Sequence, residues 1–261
     1  MADHSSDRVG PSSAVTASEA LARLPRTART DWRLGGRTVR RWREPLLALA
    51  LGVLALTLLA GAILEWVWPA MAFLPTVLPW AGMVAVCVYA LTRSRPVGLF
   101  RFHPLDVLYG VVLGVMLRMA QGWAEVGLSG RASFPSFPLV DGRVGVESWL
   151  LDVAGAILIG PTVEEFFFRV VILVTIYNLL RRPFGRGTAG AISVLASSGV
   201  FVIAHVVVAG SDASSMIAVA GLGLVCGLLV VLTGRVWAAV ITHSCFNASY
   251  VLLAAVGTVW G

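Results

Sequence analysis

Residues 46–68 read LLALALGVLALTLLAGAILEWVW, an apolar run in which Glu65 is the one charged residue. A helix needs about 20 predominantly apolar residues to cross the ~30 Å hydrocarbon core of a bilayer, so this run predicts a membrane-spanning helix. The whole chain of 261 residues is 57% hydrophobic and 13% charged. This composition argues against a soluble domain and indicates an integral membrane protein.

Further apolar runs, bounded by Pro, Gly and charged residues, predict six more spans. The fold class is therefore all-α, a polytopic helical bundle of about seven transmembrane helices in the cell membrane. The predicted spans lie near 46–68, 71–92, 105–123, 148–180, 188–209, 214–233 and 236–258. Within the fourth, Pro161 removes a backbone hydrogen bond, which predicts a kink or a helix start shortly before Glu164 and Glu165.

The arginines predict the orientation of the bundle. All 20 basic residues are Arg, nine of them precede residue 45, and most others lie in the 93–104 and 181–187 loops or at Arg235. Because cytoplasmic loops carry the excess of basic residues, these regions and the N-terminus are predicted to be cytoplasmic.

Residues 1–44 are predicted to form a disordered cytoplasmic tail close to lipid headgroups, because they are polar and contain few large apolar residues. Residues 45–261 then form the transmembrane domain. The arginines of the tail are not organised as a domain, so a membrane surface explains them better than a nucleic-acid partner.

Three short polar patterns lie inside the most apolar runs. Ionisable side chains at bilayer depth are costly unless they are paired or functional, so such a cluster predicts a functional site. Side chains four residues apart share one face of a helix, so Glu165 can pair with Arg169 while Glu164 is free to face a cavity. The patterns are Glu164-Glu165-x-x-x-Arg169, Phe201-x-x-x-His205 and His243-x-x-x-Asn247.

A carboxylate, two imidazoles and a carboxamide that converge would supply the parts for peptide hydrolysis. These parts are a base that activates water, a donor to the oxyanion and an acid for the leaving amine. The same residue types also allow a divalent cation, with Glu164, His205 and His243 as the ligands if the site depends on a metal such as zinc. Two further interpretations stay open, a buried structural cluster and a proton-coupled transporter that uses Glu164 and His205 as relay groups.

Other features of the spans indicate packing. Gly110-x-x-x-Gly114 and Gly223-x-x-x-Gly227 have the spacing that lets membrane helices approach closely. Cys245 lies between His243 and Asn247 but is rotated by ~100° from each neighbour, so it is predicted to point away from their shared face. No disulfide is expected among the three cysteines, because all lie within predicted spans.

In this order and spacing, the three motifs resemble the CAAX-protease and bacteriocin-processing family of membrane proteins, known as CPBP or Abi. The resemblance covers about residues 148–250 and extends to Gly221-Leu222-Gly223, Thr233-Gly234-Arg235 and Ile241-Thr242-His243. It implies an intramembrane endopeptidase in which Glu164 activates water with the assistance of His205. It further implies that His243 and Asn247 stabilise the oxyanion, and that Glu165, Arg169 and Phe201 support the site.

The resemblance also bears on cofactor and partners. The family has been described both as metal-dependent and as glutamate-based; we favour the glutamate mechanism, which requires no cofactor, and zinc stays an alternative. The implied partners are membrane lipid and a peptide or membrane-protein substrate, either prenylated at its C-terminus or bacteriocin-like. A non-catalytic scaffold or immunity protein and a proton-coupled transporter are the alternative functions, against which the complete set of polar residues argues.

The predicted depths of the motif residues conflict with a shared site. Counted from the predicted cytoplasmic ends at 1.5 Å per residue, Glu164 and His205 lie ~25 Å deep, but His243 lies only ~12 Å deep. Convergence therefore requires tilted helices, or fourth and fifth spans that extend into the cytoplasm.

Overall fold

A computed structural model describes residues 30–34, 39–71, 73–130, 134–137, 139–140, 143–144, 149–209 and 212–260. Its fold is all-α, with β1 (Leu139–Val140) and β2 (Arg143–Val144) as a short antiparallel pair. Single turns of 3₁₀-helix lie at Trp32–Leu34 and Pro69–Met71. The first three helices are α1 (Glu44–Val67), α2 (Leu74–Arg93) and α3 (Pro104–Ser129). A long helical segment over 149–209 follows, and it is divided below into α4 and α5. The last two helices are α6 (Ala213–Thr233) and α7 (Trp237–Trp260).

The long segment reverses direction at Gly185. Its backbone there has φ 78° and ψ 171°, a conformation that favours glycine because residues with a side chain rarely adopt a positive φ. The Ser197 hydroxyl donates to the Phe168 carbonyl at 2.8 Å, so the two arms run antiparallel. We call the arms α4 (149–184) and α5 (186–209). α4 begins with π-helical Trp149–Ile159, continues with α-helical Gly160–Glu165 and then has π-helical Phe166–Leu173. The α-helical range Val174–Ala209 contains the last part of α4, the reversal and all of α5.

Six continuous helices in the described part of the chain are long and apolar enough to cross a membrane. One of them, Val153–Val208, has 56 residues. As a straight helix it would measure about 84 Å, nearly three times the thickness of the hydrocarbon core, so its two arms cross separately. With α4 and α5 counted as two, the bundle has the seven segments that the sequence predicts.

Glycine residues bring α3 and α7 together. A Cβ at Gly110 would lie 2.4 Å from the Ile241 side chain, and one at Gly114 would lie 2.7 Å from the Thr242 carbonyl oxygen. The predicted packing role of this glycine pair is therefore confirmed. The Cβ of Cys245 also borders Gly114, so this cysteine faces α3, as its helical position predicts.

The second glycine pair plays the same part between α5 and α6. A Cβ at Gly223 would lie 3.2 Å from Ser198, and one at Gly227 would lie 3.1 Å from Val194. The small residues thus let the two helices pack at close range. All three cysteines are free.

Part of the predicted disordered tail is structured. Trp32, Val39 and Trp42 are at most 1% exposed. The indole N–H of Trp32 donates to the Gly234 carbonyl at 3.1 Å, and that of Trp42 donates to the Ala90 carbonyl at 3.0 Å. The prediction of disorder is wrong for residues 30–34 and 39–43, because these indoles bury their rings against the bundle and donate to carbonyls at helix C-termini. Residues 1–29 and 35–38 of the predicted tail lie outside the described residues.

Candidate active site

The acidic pair lies directly after a change in helix type. α4 passes from π-helix to α-helix at Gly160, and Pro161 lies in the first α-helical turn. The helix continues through Pro161, so the irregularity at this proline is a change in helix type within a continuous helix, and not a separate helix start. The Glu165 side chain is fully buried, whereas that of Glu164 is 14% exposed, so Glu164 is the member of the pair that borders open space.

Glu164 lies between two imidazole rings. Its Oε2 is 3.7 Å from Nε2 of His205 and 3.8 Å from Nε2 of His243. Both separations exceed a direct hydrogen bond, and among the described residues this buried oxygen has no hydrogen-bond partner. Polar separations of this size are those that a bridging water spans. The other carboxylate oxygen, Oε1, accepts a hydrogen bond from the Trp80 indole at 3.3 Å.

Phe201 sets the tautomer of His205. Nδ1 of His205 lies 2.9 Å from the Phe201 carbonyl oxygen, one turn earlier on α5. Because a carbonyl oxygen only accepts, Nδ1 carries the proton, and a neutral ring presents the lone pair of Nε2 to Glu164. The Phe201 ring is fully buried, with its centroid 4.2 Å from that of the His205 ring. The second motif therefore orients a potential proton acceptor.

Glu165 orients His243. Its Oε1 lies 3.0 Å from Nδ1 of His243, and its Oε2 lies 3.1 Å from Nε of Arg169 as a charge pair rather than an aligned hydrogen bond. An ionised Glu165 accepts the Nδ1 proton, so Nε2 of His243 can donate only when the ring is doubly protonated. Arg169 is held in turn by the Gly223 carbonyl, to which its Nη2 donates at 3.3 Å.

Asn247 contacts α4 at a different level. Its Nδ2 donates to the Ala156 carbonyl at 2.8 Å. Ala156 lies five residues before Pro161, and in a π-helical pattern its carbonyl would accept from the N–H that proline lacks. Asn247 thus completes the hydrogen bonding at the break, and its second amide hydrogen is left for another acceptor. Six of the seven predicted site residues form one cluster, and Asn247 lies one turn of α7 beyond His243.

A cavity of about 130 Å³ adjoins Glu164 and His205. It lies between α1, α2, α4 and α5, and its walls are mainly apolar. The apolar lining comprises Leu58, Pro75, Pro79, Trp80, Met83, Phe168, Ala204 and Val208. The cavity therefore offers an apolar approach to the carboxylate.

Trp80 is not among the site residues that the sequence predicts. A tryptophan in an apolar helix is ordinarily a packing residue, and no short motif connects it with α4. One relevant signal is glycine at position 160, where a Cβ would lie 2.9 Å from Cζ2 of Trp80. Gly160 thus leaves room for the indole that reaches Glu164.

Within the described residues, no group of three or more His, Cys, Asp or Glu has the arrangement of a metal site. Glu164, His205 and His243 are nonetheless the residues that would hold an ion if the reaction uses one, because their carboxylate and ring nitrogens face one another.

The fold and this cluster define a multi-pass membrane protein with a carboxylate–imidazole centre inside its bundle. Residues 146–249 match the family model described as Rce1-like, type II CAAX prenyl endopeptidase Rce1-like. The matched segment carries all three motifs, so the resemblance of this part of the chain to the CAAX-type membrane endopeptidases is confirmed. No curated protein and no solved structure matches the chain.

Proposed function

We propose that this protein hydrolyses a peptide bond within the membrane and that Glu164 activates the attacking water. The observation that carries the proposal is the position of Glu164 Oε2, which faces Nε2 of both His205 and His243. A carboxylate beside two imidazoles can take a proton from water and return it to a leaving group. The family match supports the reaction class, and the residue roles are inferred from the geometry.

In the proposed reaction, a water molecule transfers a proton to Glu164 as its oxygen attacks the scissile carbonyl carbon. His205 assists by accepting a hydrogen bond from the same water through Nε2, which orients the water for attack. His243, from Nε2–H of its doubly protonated ring, and Asn247, from its second amide hydrogen, donate to the oxyanion that forms. The proton then passes from Glu164 to the leaving nitrogen, the C–N bond breaks, and an amine and a carboxylic acid result.

Three other residues hold these groups in place. Glu165 and Arg169 position His243, and Phe201 positions His205. This mechanism requires no cofactor. A zinc-dependent mechanism is the alternative, because Oε2 of Glu164 faces both rings while Trp80 donates to Oε1.

The proposed substrate is a membrane-associated or lipidated peptide or protein. The apolar walls of the cavity beside Glu164 suit an apolar segment, since burial there removes apolar surface from water. A prenylated C-terminal peptide and a bacteriocin-like membrane peptide are the two forms that the family resemblance implies.

The test compares new peptide termini in membranes that contain wild type, Glu164→Gln or Glu125→Gln at equal expression. Glu125 is a matched control because it lines a different cavity, between α3 and α7. We expect the rate at which the new termini form to be about 10²- to 10⁴-fold lower in Glu164→Gln than in wild type. In Glu125→Gln the rate should be unchanged. The new termini should also persist with a zinc chelator present.

Two outcomes would favour the alternative functions. Identical termini from wild type and a folded Glu164→Gln variant would favour a scaffold or immunity protein. Substrate flux into sealed vesicles that requires Glu164, without new termini, would favour a proton-coupled transporter.

A further inference from the structure

Four arginines surround an open cleft where two membrane helices meet the aqueous phase. Arg40, Arg41 and Arg43 directly precede α1, and Arg93 closes α2. With Ser94 they line a cleft of about 790 Å³. Because spanning helices begin and end near the headgroups, the cleft lies at the membrane surface whichever way the bundle is oriented.

The backbone that carries these arginines is held in place. Val39 and Trp42 are fully buried, whereas Arg40, Arg41 and Arg43 are exposed. Asn178 on α4 donates through Nδ2 to the Val39 and Trp42 carbonyls at 3.2 and 3.0 Å. The inward side chains therefore fix a turn that presents the three arginines outward.

Arg93 is also oriented. Its Nη2 donates to the Tyr89 hydroxyl at 2.7 Å, and its guanidinium carbon lies 5.0 Å from the centroid of the Tyr89 ring. None of the residues described as lining the cleft is acidic. Glu44, the nearest carboxylate along the chain, lies in the first turn of α1, where the helix dipole favours it. The cleft therefore gathers four positive charges.

We propose that Arg40, Arg41, Arg43 and Arg93 form a binding site for the phosphate headgroup of an anionic phospholipid. The planar guanidinium matches phosphate oxygens in a bidentate manner, and basic clusters at helix ends attract anionic lipid. A zwitterionic headgroup would bring its own cation into the cleft, so a headgroup with net negative charge is preferred. The site is independent of the proposed catalytic function.

The experiment titrates the purified full-length protein in detergent micelles and counts bound ligand by native mass spectrometry. The probes are phosphatidylglycerol, phosphatidylcholine and inorganic phosphate. The test variant is Arg41→Gln/Arg93→Gln, and the control is Arg182→Gln/Arg186→Gln, which removes the same charge from exposed arginines near the turn between α4 and α5. An Arg41→Lys/Arg93→Lys variant keeps the charge if the test variant does not fold.

We expect phosphatidylglycerol to bind in preference to phosphatidylcholine, with affinity about ten- to thirtyfold lower in the test variant and unchanged in the control. The lysine variant should retain part of the affinity, because it keeps the charge but not the bidentate geometry. Equal binding of the two lipids, or equal losses in test and control variants, would overturn the proposal. If inorganic phosphate binds as tightly as phosphatidylglycerol, the ligand of this site is a free anion and the lipid proposal is overturned.

Discussion

At the scale of single residues, the chemistry of the site depends on which groups donate and which accept its hydrogen bonds. Each imidazole has its Nδ1 occupied, His205 by the Phe201 carbonyl and His243 by the Glu165 carboxylate. Both rings therefore present Nε2 to Glu164. The acceptor is a neutral carbonyl for His205 and an ionised carboxylate for His243. This difference in charge is the physical basis for the separate roles that we propose for the two rings.

Trp80 should act on Glu164 through its indole N–H, while its ring forms part of the cavity wall. Trp80→Phe keeps most of the ring but removes the N–H donor, so kcat should fall about three- to tenfold with little change in KM. Gly160→Ala should act similarly, because its Cβ would displace the indole. Steady-state kinetics on a cleaved peptide measures both, and Trp123→Phe on exposed α3 is the control. An unchanged kcat in Trp80→Phe would contradict this role.

The Glu165–Arg169 pair should be separable into stability and activity. Arg169→Leu leaves a buried carboxylate uncompensated, at a cost of about 3–5 kcal/mol in the free energy of unfolding. Glu165→Leu/Arg169→Leu should regain much of that stability, because no buried charge remains, but stay inactive because His243 loses its acceptor. Unfolding in detergent and the termini assay check this. Activity in the double variant would argue against the orienting role of Glu165.

At the scale of elements, the side chain of Asn247 compensates for the change of helix type in α4, because it donates to the Ala156 carbonyl. Without Asn247, the Ala156 carbonyl lacks its donor in an apolar environment, so Asn247→Leu should lower the free energy of unfolding by about 1–3 kcal/mol. In a Pro161→Ala background, the restored N–H can serve that carbonyl, and Asn247→Leu should cost less. A double-mutant cycle measures this coupling, and additive effects would refute it.

At the scale of the whole molecule, the register between α4 and α7 resolves the conflict in predicted depths. The rings of Phe166 and Trp237 lie 6.1 Å apart, and ten residues away in each helix Asn247 reaches Ala156. α7 therefore begins level with Phe166, not with the reversal at Gly185. From Phe166, α4 continues past the start of α7 to Gly185. Val231, near the end of α6, packs against Gly190 of α5, so the reversal extends only about one to two helical turns beyond that level.

The distribution of arginines predicts which side of the membrane the reversal occupies. Arg186→Cys, next to the turn, should react with an impermeant thiol reagent from the cytoplasmic face only, in keeping with the arginine distribution. Leu128→Cys, at an exposed position near the C-terminal end of α3, should react only from the face opposite the cytoplasm. Labelling of sealed vesicles of known orientation measures both. Labelling of both positions from one face would refute the predicted topology.

The sequence by itself determined the membrane class, the approximate spans, an irregularity of the helix near Pro161 and the three polar motifs. These features depend on composition and on helical periodicity, which act over one or two turns. Only the tertiary structure decided the register of α7 on α4, the contact of Trp80 with Glu164, the second role of Asn247 and the burial of Trp32 and Trp42. Each of these depends on contacts between residues far apart in the chain, which local pattern does not encode.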